Sequence, residues 1–321
     1  MLDYCKIKLK IYYYLKAARL QFWTLSAALI LLGEWLSIGN LLFYPTLIAF
    51  AAIAGLLCSG SFINHVFDKE LDDASGKRKL GLTDFWNYVS VKEFIFLTLI
   101  LSIISLALLW WISIPTFIIG CLILISIVTY SAPHLRLKGK PPFDLVTLAL
   151  EFGTLPFFLG WLIQGEITEL FFLYGFIFGI VIISVHLIFG VIIIDMKEEK
   201  KYGLKTSCVK LGYKGSINTG VILFFIILFL STIFSGINSF ITISLLICSP
   251  FFLSTKLWKE PAQVGLLISG SALLWQESIF FSIFILSKSI IPLTLFAITL
   301  ILYIATTLLV LLKPKNRINV I

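Results

Sequence analysis

Charge is scarce in this chain. Asp, Glu, Lys and Arg make up 13% of its 321 residues while 59% are hydrophobic, a balance that excludes a water-soluble globular domain of this size. Cysteine occurs 5 times, and Cys5, Cys58, Cys121, Cys208 and Cys248 are scattered, without a CxxC pair. That excludes a zinc-type ligand spacing and a disulfide framework, and the thiols are expected to be free. No polar linker or low-complexity stretch divides the sequence, and the basic N-terminal arm leads into an apolar stretch without a convincing cleavage site. A single membrane domain over residues 1–321 is expected.

Apolar runs recur along nearly the whole chain. A helix needs about 20 residues to cross ~30 Å of hydrocarbon at ~1.5 Å per residue. Runs of that order lie at about 20–39, 41–63, 93–112, 114–131, 145–164, 168–194, 216–236, 238–255, 264–287 and 290–312. The fold expected is an all-α polytopic bundle of nine to ten transmembrane helices, with two similar four-helix halves and a C-terminal extension. Basic residues test the map, because Lys and Arg collect in cytoplasmic loops. With the N-terminus inside, they fall on one side in the arm from Lys6 to Arg19, the loop from Lys69 to Lys92, Arg136 to Lys140, Lys197 to Lys214, Lys256 to Lys259 and Lys313 to Arg317; Lys288 is the exception. The net charge of +8 is therefore a topology signal for a multi-pass cytoplasmic-membrane protein, with attraction to anionic membrane lipids as a secondary effect and no nucleic-acid partner.

The few acids are clustered. The second apolar run ends in Asn64-His65-Val66-Phe67-Asp68-Lys69-Glu70-Leu71-Asp72, and the sixth in Asp195-Met196-Lys197-Glu198-Glu199. On a helix Asn64, Asp68 and Asp72 form one stripe at i, i+4 and i+8, and Asp195 and Glu199 form another. An even number of crossings delivers both to one membrane face, at helix ends expected to be solvated. Two facing carboxylate stripes repel unless cations intervene, and Mg²⁺ held by carboxylates together with substrate phosphates suits such a donor set. The plain alternative is a pair of solvated acidic caps. Glu70, Asp73 and Glu198 point off the stripes.

A third loop on that face, Tyr130-Ser131-Ala132-Pro133-His134-Leu135-Arg136-Leu137-Lys138-Gly139-Lys140-Pro141-Pro142-Phe143-Asp144, carries cations. Arg136 and Lys138 are either positive-inside residues or holders of a diphosphate. Within the spans, Glu151, His186 and Gln276-Glu277 are the isolated polar groups. Ionisable residues in hydrocarbon cost ~2.5 to 3.5 kcal/mol on insertion scales, so they face a cavity or a partner. His186 lies about two and a half turns before Asp195 on one helix. Glu151 and His186 are candidates for an acceptor or cavity role, each against the plainer reading of an interhelical hydrogen bond.

These segments resemble the UbiA superfamily of intramembrane prenyltransferases. Asn64, Asp68 and Asp72 match its first motif, N-x-x-x-D-x-x-x-D. Asp195 and Glu199 match its second, D-x-x-x-D, with Glu in the last place, and Gly203 and Thr206 continue it as G-x-x-T. Tyr130 to Asp144 is similar to the Y-S-x-P-P-L-R-L-K-x-x-P-x-x-D loop, with His134 replacing a Pro. Arg19-Leu20-Gln21-Phe22-Trp23 resembles an R-x-x-F-W opening found in some branches. The likeness covers about 17–260. His65 replaces a common Asp, and the R-P dipeptide often found after the first motif is absent.

The resemblance implies Mg²⁺-dependent transfer of an isoprenyl group from a polyprenyl diphosphate to a lipophilic acceptor, with diphosphate released. It places Asn64, Asp68, Asp72, Asp195 and Glu199 at the metal, the four acids among them as catalytic, and Arg19, Tyr130, Arg136 and Lys138 at the diphosphate. The branches most alike are lycopene-elongase-like and quinone-type, so a carotenoid or a quinone precursor is the acceptor in view. A membrane transporter or channel is the rival from another class, because intramembrane acids also mark ion pathways. Its ionisable groups belong near the midplane, whereas these acids gather at helix ends.

Overall fold

The computed structural model describes residues 2–19, 23–74, 83–190, 195–201, 203–235, 239–254, 275–286, 288 and 290–311. Among the described residues there is no strand. The helices are α1 Leu2–Ala18, α2 Trp23–Ile38, α3 Phe43–Ala74, α4 Val91–Ile112, α5 Ile114–Ser131, α6 Phe143–Trp161, α7 Glu169–Gly190, α8 Asp195–Lys201, α9 Ser207–Ser235, α10 Phe240–Ser254, α11 Trp275–Leu286 and α12 Ile290–Leu311. Six of them, α3 to α7 and α9, are long and apolar enough to cross a membrane. The helices thus follow the apolar runs of the sequence, with the expected run at 264–287 described only from Trp275.

Helix α4 shows how these sequences choose their inward face. Phe94, Thr98, Ser102, Ser105 and Leu109 are buried, at spacings of three and four, while Ile95, Phe96, Leu99, Ile103, Trp110 and Trp111 are exposed. The hydroxyls point in and the largest hydrocarbons point out. Lipid competes for apolar side chains as well as a protein core does, so helix contacts are made by small and hydroxylated residues. Ser59 of α3 accordingly donates to Gly55 O at 2.9 Å and to Thr98 O of α4 at 3.3 Å. Helix α2 meets α6 backbone to backbone: a Cβ on Gly160 would come within 1.9 Å of Ile30 O, and one on Gly33 within 2.2 Å of Phe157 O. Further contacts join α3 to α4 and α5, α7 to α6 and α9, and α2 to α12.

Two features position the acidic segments. Helix α3 runs for 32 residues, ~48 Å at ~1.5 Å per residue, so it overshoots the hydrocarbon and carries the whole first stripe without a break. The expected run at 41–63 is therefore only its apolar part. The basic N-terminal arm is itself a helix, α1, pinned over the turn that follows α3. Lys16 pairs with Asp84 at 2.7 Å, Lys10 with Glu93 at 2.6 Å, and the rings of Tyr13 and Tyr88 stack at 4.2 Å. The hydrogen bond from Lys10 to Glu93 raises the ammonium pKa, and burial pushes the Tyr13 hydroxyl up. At the opposite end of α3, buried Glu34 accepts from Leu42 N at 2.7 Å and from Thr46 Oγ1, closing the turn from α2.

Candidate active site

The last turns of α3 present Asn64, Asp68 and Asp72 on one face. Asp68 and Asp72 are buried, which corrects the expectation of solvated helix ends; Glu70 and Asp73 are exposed, as their places off the stripe require. Asp72 Oδ2 lies 3.8 Å from Nδ1 of His65, whose ring is set edge-on to Phe85 with centroids 4.6 Å apart. Asn64 Oδ1 is buried and has no hydrogen-bond partner.

The basic loop reaches this stripe. Arg136 takes a left-handed backbone, φ 39°, which turns the chain into the short 3-10 helix Leu137–Gly139. Its Nη2 then donates to Asp68 Oδ1 at 3.3 Å, and Lys138 Nζ, itself buried, donates to Asp68 Oδ2. A carboxylate removed from water needs such counter-charge. Arg136 Nε is buried without a partner. One unpaired oxygen acceptor and one unpaired guanidinium donor thus flank the same carboxylate. A hard cation and an anionic oxygen are the groups these two atoms suit.

The second acidic segment lies on a short helical stretch described from Asp195 to Lys201, α8. The Asp195 side chain and residues 191–194 lie outside the described residues. Gly203, at φ 73°, supplies the left-handed residue that lets the chain turn after α8. Leu204 N donates to Glu199 O at 2.9 Å. Thr206 does two jobs: its Oγ1 accepts from Val209 N at 3.3 Å at the start of α9, and it donates to Glu199 Oε2 at 2.9 Å. The G-x-x-T continuation is therefore the device that turns the chain and holds the Glu199 carboxylate.

Asp144, the last residue of the basic loop, is buried and accepts from both Ser207 N and Ser207 Oγ at 2.6 Å. It ties the start of α6 to the start of α9. In the sequence Asp144 and Thr206 stand out only as motif letters; the signal that marks them is the cap chemistry of Asp and Thr at helix starts. Tyr130 is half-buried at the end of α5.

Other expected residues are dispersed. Arg19 follows α1 with a left-handed backbone, φ 50°. Glu151 is buried in α6 and accepts from Ser126 Oγ at 3.3 Å. His186 is half-buried on α7, and Gln276 Nε2 donates to Glu277 Oε1 at 3.2 Å within α11. Among the described residues no group of three or more His, Cys, Asp and Glu forms a metal cage by itself. Among the described residues Cys58, Cys121, Cys208 and Cys248 form no disulfide.

The fold has solved counterparts. A UbiA homolog from Archaeoglobus fulgidus bound to GPP and Mg²⁺ is 21% identical, with a TM-score of 0.63 over 84% of this chain and 99% of that one. The apo structure of a UbiA homolog from Aeropyrum pernix K1 is 17% identical, with a TM-score of 0.68 over 82% and 98%. A structure concerned with digeranylgeranylglyceryl phosphate synthase in membranes is 19% identical, with a TM-score of 0.60 over 86% and 98%. No curated protein sequence matches significantly. The model of the UbiA prenyltransferase family matches residues 21–265, which takes in both acidic segments and the basic loop between them: the chain belongs to the UbiA prenyltransferase family.

Proposed function

We propose that the protein transfers an isoprenyl group from a polyprenyl diphosphate to a lipophilic acceptor within the membrane, with Mg²⁺ as cofactor. One observation carries the reading beyond the family match. Two cations from a distant loop converge on Asp68 beside the unpaired Asn64 Oδ1 and Arg136 Nε. Prenyl diphosphates and Mg²⁺ are bound by the Archaeoglobus fulgidus homolog, as GPP and as DMAPP. The family match favours this enzyme over the transporter reading.

The donors fit a hard cation. Asn64, Asp68 and Asp72 from α3, with Asp195 and Glu199 from α8, would hold Mg²⁺, which when bound neutralises charge on the leaving diphosphate. Arg136 and Lys138 exchange Asp68 for diphosphate oxygens, with Tyr130 and Arg19 as further partners. The bond from the allylic carbon to oxygen breaks with its electron pair on diphosphate, and the Arg136 guanidinium and Lys138 ammonium hold that charge. The apolar surroundings keep water from the carbon centre until the acceptor attacks. Nine or ten spans, with the N-terminus and both acidic segments on the cytoplasmic side, deliver donor from water and acceptor from lipid.

The test is diphosphate release by the purified chain in lipid nanodiscs with GPP, lipid extract as acceptor source, and Mg²⁺ or EDTA. Release that requires Mg²⁺ and is lost in Lys138→Met is expected. Equal release with EDTA would overturn the reading.

A further inference from the structure

We infer that α1 is an interfacial anchor, seated at the boundary between headgroups and acyl chains with its outward face held by an anionic lipid leaflet. This is independent of the prenyl-transfer reading above. Depth, sidedness and charge each point to that partner.

Depth is set by what pins α1. Lys10 Nζ donates to Glu93 Oε1 at 2.6 Å, and Tyr14 Oη donates to the same oxygen at 3.1 Å. Lys16 Nζ donates to Asp84 Oδ1 at 2.7 Å, and Tyr13 stacks on Tyr88. Every one of these partners lies in the turn before α4 or in its first helical turn. Glu93 closes a capping box with Ser90 at the start of that span, and Ile95 and Phe96 just beyond it are 46% and 62% exposed. Exposed apolar side chains on a span face acyl chains, and Phe96 is only ~4.5 Å along the axis from Glu93. The stretch of α1 from Lys10 to Lys16 is therefore held within about one helical turn of the hydrocarbon boundary. That is the level at which tyrosines such as Tyr13, Tyr14 and Tyr88 collect in membrane proteins.

The helix is also two-sided. Tyr13, Ala17 and Ala18 are buried in the cluster that contains Phe62, Phe85, Trp86 and Phe94. Ile11 and Leu15 stand one turn apart on the side of the helix opposite Tyr13, 52% and 42% exposed. A short apolar strip thus points away from the protein where hydrocarbon is within reach, and its transfer there from water is favourable. Charge completes the picture. Residues 1–19 carry Lys6, Lys8, Lys10, Lys16 and Arg19 against a single acid, Asp3. Glu93 and Asp84 balance Lys10 and Lys16, so the arm stays positive. Hydrocarbon and negative charge side by side are what an anionic leaflet presents: apolar side chains enter the acyl boundary while lysine heads stay with the headgroups.

Two measurements on the full chain in nanodiscs test this. For depth, nitroxides are placed by Ile11→Cys and Leu15→Cys on a cysteine-free background, with Phe96→Cys as the lipid reference and Lys200→Cys as the aqueous one. Collision with oxygen relative to a water-soluble nickel chelate should fall within about twofold of the Phe96→Cys value at both sites, as for side chains at the acyl boundary. A ratio like that of Lys200→Cys, or weak collision with both reagents as when a second protein surface covers the strip, overturns the inference. For charge, amide hydrogen exchange is followed in the unsubstituted chain, so that no variant has to fold. Exchange over residues 9–15 should slow by about threefold or more, relative to α5, when phosphatidylglycerol is added to phosphatidylcholine, and the slowing should fade at high salt. Equal exchange in the two lipid compositions overturns the assignment of an anionic leaflet as the partner.

Discussion

Removing the Asp68 carboxylate strips counter-charge from both Arg136 and Lys138, and Lys138 is buried. An uncompensated buried charge costs about 3 kcal/mol, so Asp68→Ala should lose turnover and melt well below wild type. The pair Asp68→Ala with Lys138→Met should regain most of that stability in thermal unfolding and none of the activity. A double variant as unstable as the single one would show that the ion pair is not what Asp68 supplies to folding. Glu199 carries a second prediction at this scale. Its extra methylene reaches up to ~1.5 Å beyond an Asp, and Thr206 Oγ1 takes up that reach at 2.9 Å. Mg²⁺ tolerates little error around its ~2.0 to 2.1 Å distances. Glu199→Asp should therefore remain active with a changed Mg²⁺ and Mn²⁺ requirement, and Glu199→Gln should be severely impaired. Thr206→Val should raise the Mn²⁺ dissociation constant several-fold, with Thr206→Ser restoring it. Mn²⁺ titration and turnover together check all four. Asp68 and Glu199 were legible as stripe members from their spacing; their partners were not, because Lys138 and Thr206 are fixed by loop geometry rather than by helical period.

Between elements, the tightest joint is α2 against α6, where Gly33 and Gly160 let backbones touch. Any side chain there pushes the helices apart, and overpacking costs ~1 to 3 kcal/mol. Gly160→Val should lower the melting temperature in detergent by several degrees, whereas Gly215→Ala, whose added Cβ meets only Leu211 Cβ at 3.4 Å, should change it little. The Asp144–Ser207 bond is the joint between the basic loop and the second acidic segment. Asp144→Ala removes two hydrogen bonds at the start of α9 and should cost ~1 to 2 kcal/mol, with a larger loss of activity than a remote change of equal instability. Helix existence was plain in the apolar runs. The π turn in α6 and α1 as a docked helix were not, because each depends on what the segment packs against.

For the molecule as a whole, the N-terminus, Ser75, Glu198 and the loop at Arg136 should share one side of the membrane. Single cysteines on a cysteine-free background, labelled from either face, check this; labelling of positions 75 and 198 from opposite faces would contradict it. What the sequence determined by itself is the all-helical membrane architecture, the acidic stripe Asn64-Asp68-Asp72 and the candidate partners of a diphosphate. Spans follow from hydrocarbon thickness and stripes from 3.6 residues per turn, and both are properties of neighbours along the chain. Only the tertiary structure decided that Asp68 is buried between Arg136 and Lys138, that Glu199 is held by Thr206, that Asp144 links α6 to α9, and that Glu151 accepts from Ser126 of α5. Most of these contacts join residues more than 20 apart in sequence, and even Glu199 meets Thr206 only across the turn at Gly203. Such pairings are set by which helix faces pack together, a property that no local period in the sequence encodes.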